Sequence, residues 1–174
     1  PAVAYTSSDK GATTDFKSSK PWREIICPNY YSFNLGKVHY VVLDNVFYKN
    51  ENTGSGYNTG VVGTRNYSAR VEQYQLDWLK KDLANVDVNT PIVVCEHIPT
   101  FRLSSSNIAY GGTENYAALA SVLKKYKDVH FVSGHTHYNY TARPTAYPNM
   151  MEHNVASICA TWWWTGHVNG DNIK

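Results

Sequence analysis

Three histidines at the ends of apolar runs carry the chemistry that this sequence offers. His135 and His137 flank one residue in Gly134-His135-Thr136-His137, directly after Val129-His130-Phe131-Val132-Ser133, and His97 follows Ile92-Val93-Val94-Cys95 through Glu96. In extended backbone, residues two apart point the same way, so the spacing predicts both rings on one side and Thr136 on the other. Neutral imidazole suits zinc, iron or manganese, whereas calcium asks for carboxylates. A third imidazole from a neighbouring strand tip makes the pair a candidate metal cluster of His97, His135 and His137. Asp44, closing the run Val38-His39-Tyr40-Val41-Val42-Leu43, is a further oxygen donor, although a strand-end Asp more often caps a turn. His39 and His130 sit inside apolar runs and read as hydrogen-bonded sheet or core residues. His153 and His167, in unpatterned segments, read as surface residues.

His97 and His135 are far apart in the chain, so only a fold can join them. Tyr30-Tyr31-Ser32-Phe33-Asn34-Leu35 and the run from Val38 to Leu43, separated by Gly36-Lys37, predict a β-hairpin. Val71, Tyr74, Trp78, Leu79, Leu83 and Val86 recur at helical steps, and Tyr116, Leu119, Val122, Leu123 and Tyr126 do so after Thr113, a predicted cap. Pro91-Ile92-Val93-Val94-Cys95, the run from Val129 to Ser133 and Val155-Ala156-Ser157-Ile158-Cys159-Ala160 predict further strands, the first of them buried on both faces. Strands that alternate with helices imply a largely parallel sheet with right-handed crossovers. Asp44, Asn45, His97, His135 and His137 then fall along one carboxyl edge, where α/β proteins bind ligands. Residues 1–28 read as an irregular lead-in, and the Gly- and Asn-rich stretch 49–67 as a long loop of the kind that selects substrates. Trp162-Trp163-Trp164 offers stacking surface, with packing the preferred role.

A chain of 174 residues, 43% hydrophobic and 17% charged, fits one globular domain rather than a disordered tail. A net charge of +2 without a basic run argues against a nucleic-acid footprint. No stretch reaches the roughly 18 apolar residues of a membrane span, which predicts a soluble chain. The three cysteines, Cys27, Cys95 and Cys159, form no CxxC pair. Aromatic residues make up 14%, and Asn66-Tyr67-Ser68 and Asn139-Tyr140-Thr141 are glycosylation-like triplets, so the expected location is periplasmic or secreted.

On these motifs the sequence resembles the C-terminal half of the calcineurin-like metallophosphoesterases, a superfamily that includes the purple acid phosphatases. The resemblance rests on Gly134-His135-Thr136-His137 after an apolar strand, on His97 with Pro99 after Val93-Val94, on Pro28-Asn29-Tyr30-Tyr31-Ser32-Phe33 through Asp44, and on Gln75-Leu76-Asp77-Trp78-Leu79. It spans about residues 28–137. What it implies is an α/β fold, the C-terminal half of a four-layer αββα sandwich, and hydrolysis of phosphoric esters at two metal ions (manganese, iron or zinc) that activate a shared water. By the same resemblance, His97 and His135 hold one ion and His137 the other. Arg102, five residues past His97, is the candidate for a substrate phosphate, since guanidinium binds such oxygens in pairs.

The family's remaining ligands and its proton donor come from motifs that precede this region, Asp-x-His, Gly-Asp-x-x-Asp and Gly-Asn-His, and the chain is read as carrying none of the three. The chain is therefore expected to be a single partial domain, inactive alone, whose partners are a phosphoester and the N-terminal half of the same polypeptide. Two rival readings remain. One is a non-catalytic module of the same fold that recognises a glycan, a lipid headgroup or a protein. The other is a single-zinc hydrolase using the three histidines, with Glu96 as its base.

Overall fold

The computed structural model describes residues 15–49 and 66–156. Most of the Gly- and Asn-rich loop, the end of the predicted last strand, Cys159, the tryptophan triplet and His167 lie outside the described residues. The chain divides into two compact units, residues 1–29 with 46–68 and residues 30–45 with 69–174.

In the smaller unit, the segment expected to be irregular carries two short helices, α1 (Asp15–Ser18) and α2 (Lys20–Ile25). Their causes are local. Asp15 sits in the first turn of α1, where its charge complements the exposed amide groups, and Pro21 stands at the start of α2, where its missing N–H costs nothing. The Asp15 carboxylate also accepts the Tyr48 N–H at 2.8 Å, from β3 (Val46–Lys49), which pairs with β4 (Asn66–Ala69).

The larger unit is α/β, built on a mixed six-stranded sheet. Its strands are β1 (Tyr31–Leu35), β2 (Val38–Val42), β5 (Ile92–Cys95), β8 (Val129–Ser133), β9 (Tyr140–Ala142) and β10 (Met150–Asn154), ordered β1-β2-β5-β8-β10-β9. The four central strands run parallel, and the two edge strands are antiparallel to their neighbours. The expected hairpin is present, with Leu35 opposite Val38 and Gly36 at φ 61° in the tight turn, a conformation that glycine adopts without strain. Both expected helices are present as α3 (Gln73–Asp82), extended by a 3-10 turn at Leu83–Asn85, and α4 (Tyr116–Leu123).

Helix α4 starts differently from expectation. Asn115, not Thr113, stands at its cap position, and the Asn115 side chain bonds the Val71 backbone, accepting its N–H at 3.1 Å and donating to its carbonyl at 2.6 Å. The loop ahead of α4 also holds a small hairpin, β6 (Phe101–Leu103) with β7 (Ala109–Gly111), which the polar spacer of serines concealed. The last central strand occupies Met150–Asn154 and ends before Val155, earlier than its apolar pattern predicts.

Burial alternates along the central strands, so one sheet face forms the core. Val41, Ile92, Val94, Phe131 and Met150 pack there with Leu76, Leu79 and Leu83 below α3 and Leu119 and Leu123 below α4. Each such side chain contributes roughly 1.5–3 kcal/mol through its removal from water. Polar groups on this face are paired. Tyr126 donates its hydroxyl to the Leu83 carbonyl at 2.6 Å, and His39 bridges Asn34 and the Asp82 carboxylate at 2.8 and 2.9 Å, as a hydrogen-bonded sheet histidine.

The opposite face is also apolar. Across it run Phe33, Tyr40, Val93, His130 and Met151 in one register row and Tyr31, Val42, Cys95, Val132 and His153 in the next. Phe33 and Tyr40 stack at 5.0 Å, yet Phe33 is 44% and Val132 37% exposed. No described helix is long and apolar enough to cross a membrane.

Candidate metal centre

Parallel pairing of β2, β5, β8 and β10 sends their carboxyl ends to one edge, and the residues beyond those ends build the site. His97 leaves β5 through Glu96, and His135 leaves β8 through Gly134. Gly134 donates its N–H to the His97 carbonyl at 3.1 Å, which joins the two loops backbone to backbone. His97 Nε2 and His135 Nδ1 come within 3.3 Å, with the rings tilted 79°. Two imidazoles on one tetrahedral ion, each at 2.0–2.1 Å, place their nitrogens about 3.3 Å apart, so this spacing matches that of a shared cation. Burial is the main force that lowers the pKa of both histidines; the neighbouring His137 adds to it at His97, and His97 itself adds to it at His135. A lowered pKa favours the neutral imidazole, the form that ligates.

His137 lies close enough to influence both rings electrostatically. Even so, among the described residues no group of three or more His, Cys, Asp or Glu side chains is arranged to hold a metal ion. The backbone differs from the expected extension. His135 and His137 both adopt positive φ, 65° and 63°, so the motif is a tight bend and not a strand end. Left-handed backbone at a residue other than glycine costs roughly 1–3 kcal/mol and persists only where the surroundings impose it.

Asn154, buried at the end of β10, imposes it. Its side-chain amide donates to the Gly134 carbonyl and to Ser133 Oγ, and its oxygen accepts the Thr136 hydroxyl. Asn45, also buried, does the same for the His97 loop, donating to the Ile98 carbonyl at 2.5 Å and accepting its N–H at 3.0 Å. Asn45 stands on the expected edge and acts as a clamp. The Asp44 main chain is fixed by Gln75, which accepts the Asp44 N–H at 3.0 Å and donates to its carbonyl at 2.7 Å.

Behind the histidines lie two carboxyls that sequence reasoning missed as a pair. Glu152 is fully buried and accepts from Ser133 Oγ at 2.6 Å and the Phe101 N–H at 3.1 Å. Glu96 accepts from the Thr100 N–H at 2.8 Å and from its hydroxyl, while Glu96 Oε2 is shut away from solvent without a hydrogen-bond partner. Burial raises both, pushing Glu152 up to about 7, and the Glu152 charge lifts Glu96 further. Glu96 is thus tied to Thr100 behind the cluster, which argues against it as the exposed base that a single-zinc site requires. The only signal for Glu152 was a charged residue inside an apolar alternation, Met150-Met151-Glu152.

Arg102 lies on β6, directly across from Tyr110 on β7, and its charge acts on His135. An Asp-x-His string does occur at Asp128-Val129-His130, but it opens β8 at the end away from His135. There His130 Nε2 meets Asp128 at 3.0 Å and His130 Nδ1 meets His153 Nε2 at 2.7 Å. His153 is therefore a partner on the sheet face, not a lone surface residue.

No family model matches this chain, and no curated protein does. Among solved structures, a Staphylococcus aureus protein provisionally described as a 5'-nucleotidase, crystallised in complex with alpha-ketoglutarate, is similar at 16% identity and a TM-score of 0.39. That similarity covers 74% of this chain and 24% of the other, so this chain spans about a quarter of its length.

Proposed function

We propose that this chain is the carboxyl half of a dinuclear, metal-dependent phosphoesterase, with His97 and His135 as ligands of one ion and His137 of the second. The observation that carries the reading is the 3.3 Å approach of His97 Nε2 and His135 Nδ1, from two loops that the parallel sheet brings together. Such ions, when bound, acidify a coordinated water and neutralise charge on the phosphoryl oxygens. The chain's own residues do the positioning. Asn45 and Asn154 hold the two histidine loops, the lowered pKa values of His97 and His135 favour the neutral, ligating imidazole, and Arg102 supplies a cation beside His135 for a phosphoryl oxygen.

The remaining ligands come from the amino half of the same polypeptide, whose sheet packs on the apolar face of Tyr31, Phe33, Tyr40, Val93 and Val132. Two sheets stacked about 10 Å apart bury such faces together. The expected location is periplasmic or secreted.

The exposure of Phe33 and Val132 on the apolar face favours a second reading, a non-catalytic module of the same fold that uses this face to bind a glycan, a lipid headgroup or a protein. Calorimetric titration of the chain with Mn2+ and Zn2+ separates the two. The phosphoesterase reading expects binding that His97→Ala and His135→Ala each weaken at least tenfold, without turnover of p-nitrophenyl phosphate by the chain alone. Metal binding that ignores both substitutions, or none at millimolar metal, refutes it.

A further inference from the structure

Beside the imidazole cluster lies a cavity of about 340 Å³ lined by Arg102, Leu103, Tyr110, Thr136, Asn139 and two more tyrosines, Tyr138 and Tyr140. Thr136 belongs to both places, since it separates the two motif histidines and also walls the cavity. Three phenol rings and one guanidinium around one cleft combine flat apolar surface with a single positive charge.

The stem of Arg102 is held in place. Arg102 pairs across the hairpin with Tyr110, and its stem runs over Gly112, where a Cβ would meet Arg102 Cγ at 2.8 Å and the Pro99 carbonyl oxygen at 2.3 Å. Arg102 Nε is buried without a hydrogen-bond partner, an unmet donor that an anion satisfies. Tyr140 is fixed too, with its hydroxyl 3.4 Å from the Phe101 carbonyl oxygen. Tyr110 and Tyr138, by contrast, are 48% and 69% exposed, and their rings have surface free to stack on an incoming group.

Resting on the phosphoesterase reading, we propose that this cleft receives a flat ring on the alcohol side of the phosphoester. The substrate class is then an aryl or nucleoside phosphate, with Arg102 on the phosphoryl group and Tyr110 and Tyr138 against the ring. A cleft of this size accommodates one such group, and stacking on tyrosine tolerates many ring identities because every flat ring presents a π face.

The test is calorimetric binding of adenosine 5'-monophosphate and ribose 5-phosphate to the 174-residue chain with Mn2+ present, since the nucleotide carries a flat base where the sugar phosphate has its anomeric hydroxyl. The expected result is at least tenfold tighter binding of the nucleotide, from stacking of one base. Tyr110→Leu with Tyr138→Leu should erase that preference. Both residues are exposed, and circular dichroism verifies that the double variant folds. Equal affinity for the two ligands, with Arg102→Gln weakening both, overturns the ring cleft and leaves the phosphoester reading standing. Failure of both ligands to bind, or binding of both that ignores Arg102→Gln, overturns the two together.

Discussion

Replacing Glu152 by Gln gives a direct test of the buried carboxyl pair. Glu152 is 0% exposed, and its pKa is raised from 4.5 to about 7, chiefly by burial. A carboxyl whose folded-state pKa lies above its unfolded value stabilises the fold fully at pH below the unfolded value. That stabilisation is lost as pH rises through the folded value. A rise from 4.5 to about 7 corresponds to roughly 3 kcal/mol, lost between about pH 4.5 and pH 7.

His97, His135 and His153 have lowered pKa values, so their contributions fall in the opposite direction, as pH drops. The informative quantity is therefore the difference between Glu152→Gln and wild type, in which the histidines cancel. Glu96, relieved of its charged neighbour, moves back toward the ordinary carboxylate range and adds to the change in the same sense. Urea unfolding in chelator, followed by tryptophan fluorescence from pH 4.5 to 8, should show the variant gaining on wild type by about 3 kcal/mol as pH rises. The uncharged amide keeps an oxygen for the Phe101 N–H, so the variant is expected to fold. A constant offset between the two curves, or a gain toward low pH, refutes the argument.

Two further perturbations address the scaffold. Asn45→Ala removes two hydrogen bonds and leaves the Ile98 N–H and carbonyl buried without partners, at a cost of roughly 2–4 kcal/mol in urea unfolding. By freeing the His97 loop, it should also weaken Mn2+ binding in calorimetry. Gly112→Ala drives a methyl group to within 2.3 Å of the Pro99 carbonyl oxygen, and backbone must shift to relieve it. The expected loss is about 1–3 kcal/mol, with a lower affinity for inorganic phosphate as Arg102 is displaced. A variant as stable as wild type contradicts the packing described for that residue.

The sheet and its ligand edge were legible because the strands announce themselves. The apolar runs ending at Cys95 and Ser133 have the length and composition of parallel strands, and the helical spacing from Val71 to Leu83 places a crossover between β2 and β5. From that order alone, His97 and His135 had to meet. The bend at the Gly-His-Thr-His motif was not legible, because an extended run and a run with two positive φ angles share one spelling. The deciding group, Asn154, approaches from another strand. The β6–β7 hairpin was hidden by its serine-rich turn, and α1 and α2 by segments too short to show a period. The tyrosine cleft draws on Tyr110, Tyr138 and Tyr140, scattered residues that only the completed fold gathers.

The bond from the Gly134 amide to the His97 carbonyl couples the opening of the two histidine loops. With Asn45 and Asn154 anchoring each side, the entropic cost of ordering the backbone is met during folding, so that under the proposed metal-binding reading a cation would have only imidazole rotamers left to arrange. Selectivity among metals would then be set by preference for nitrogen donors and not by a gate.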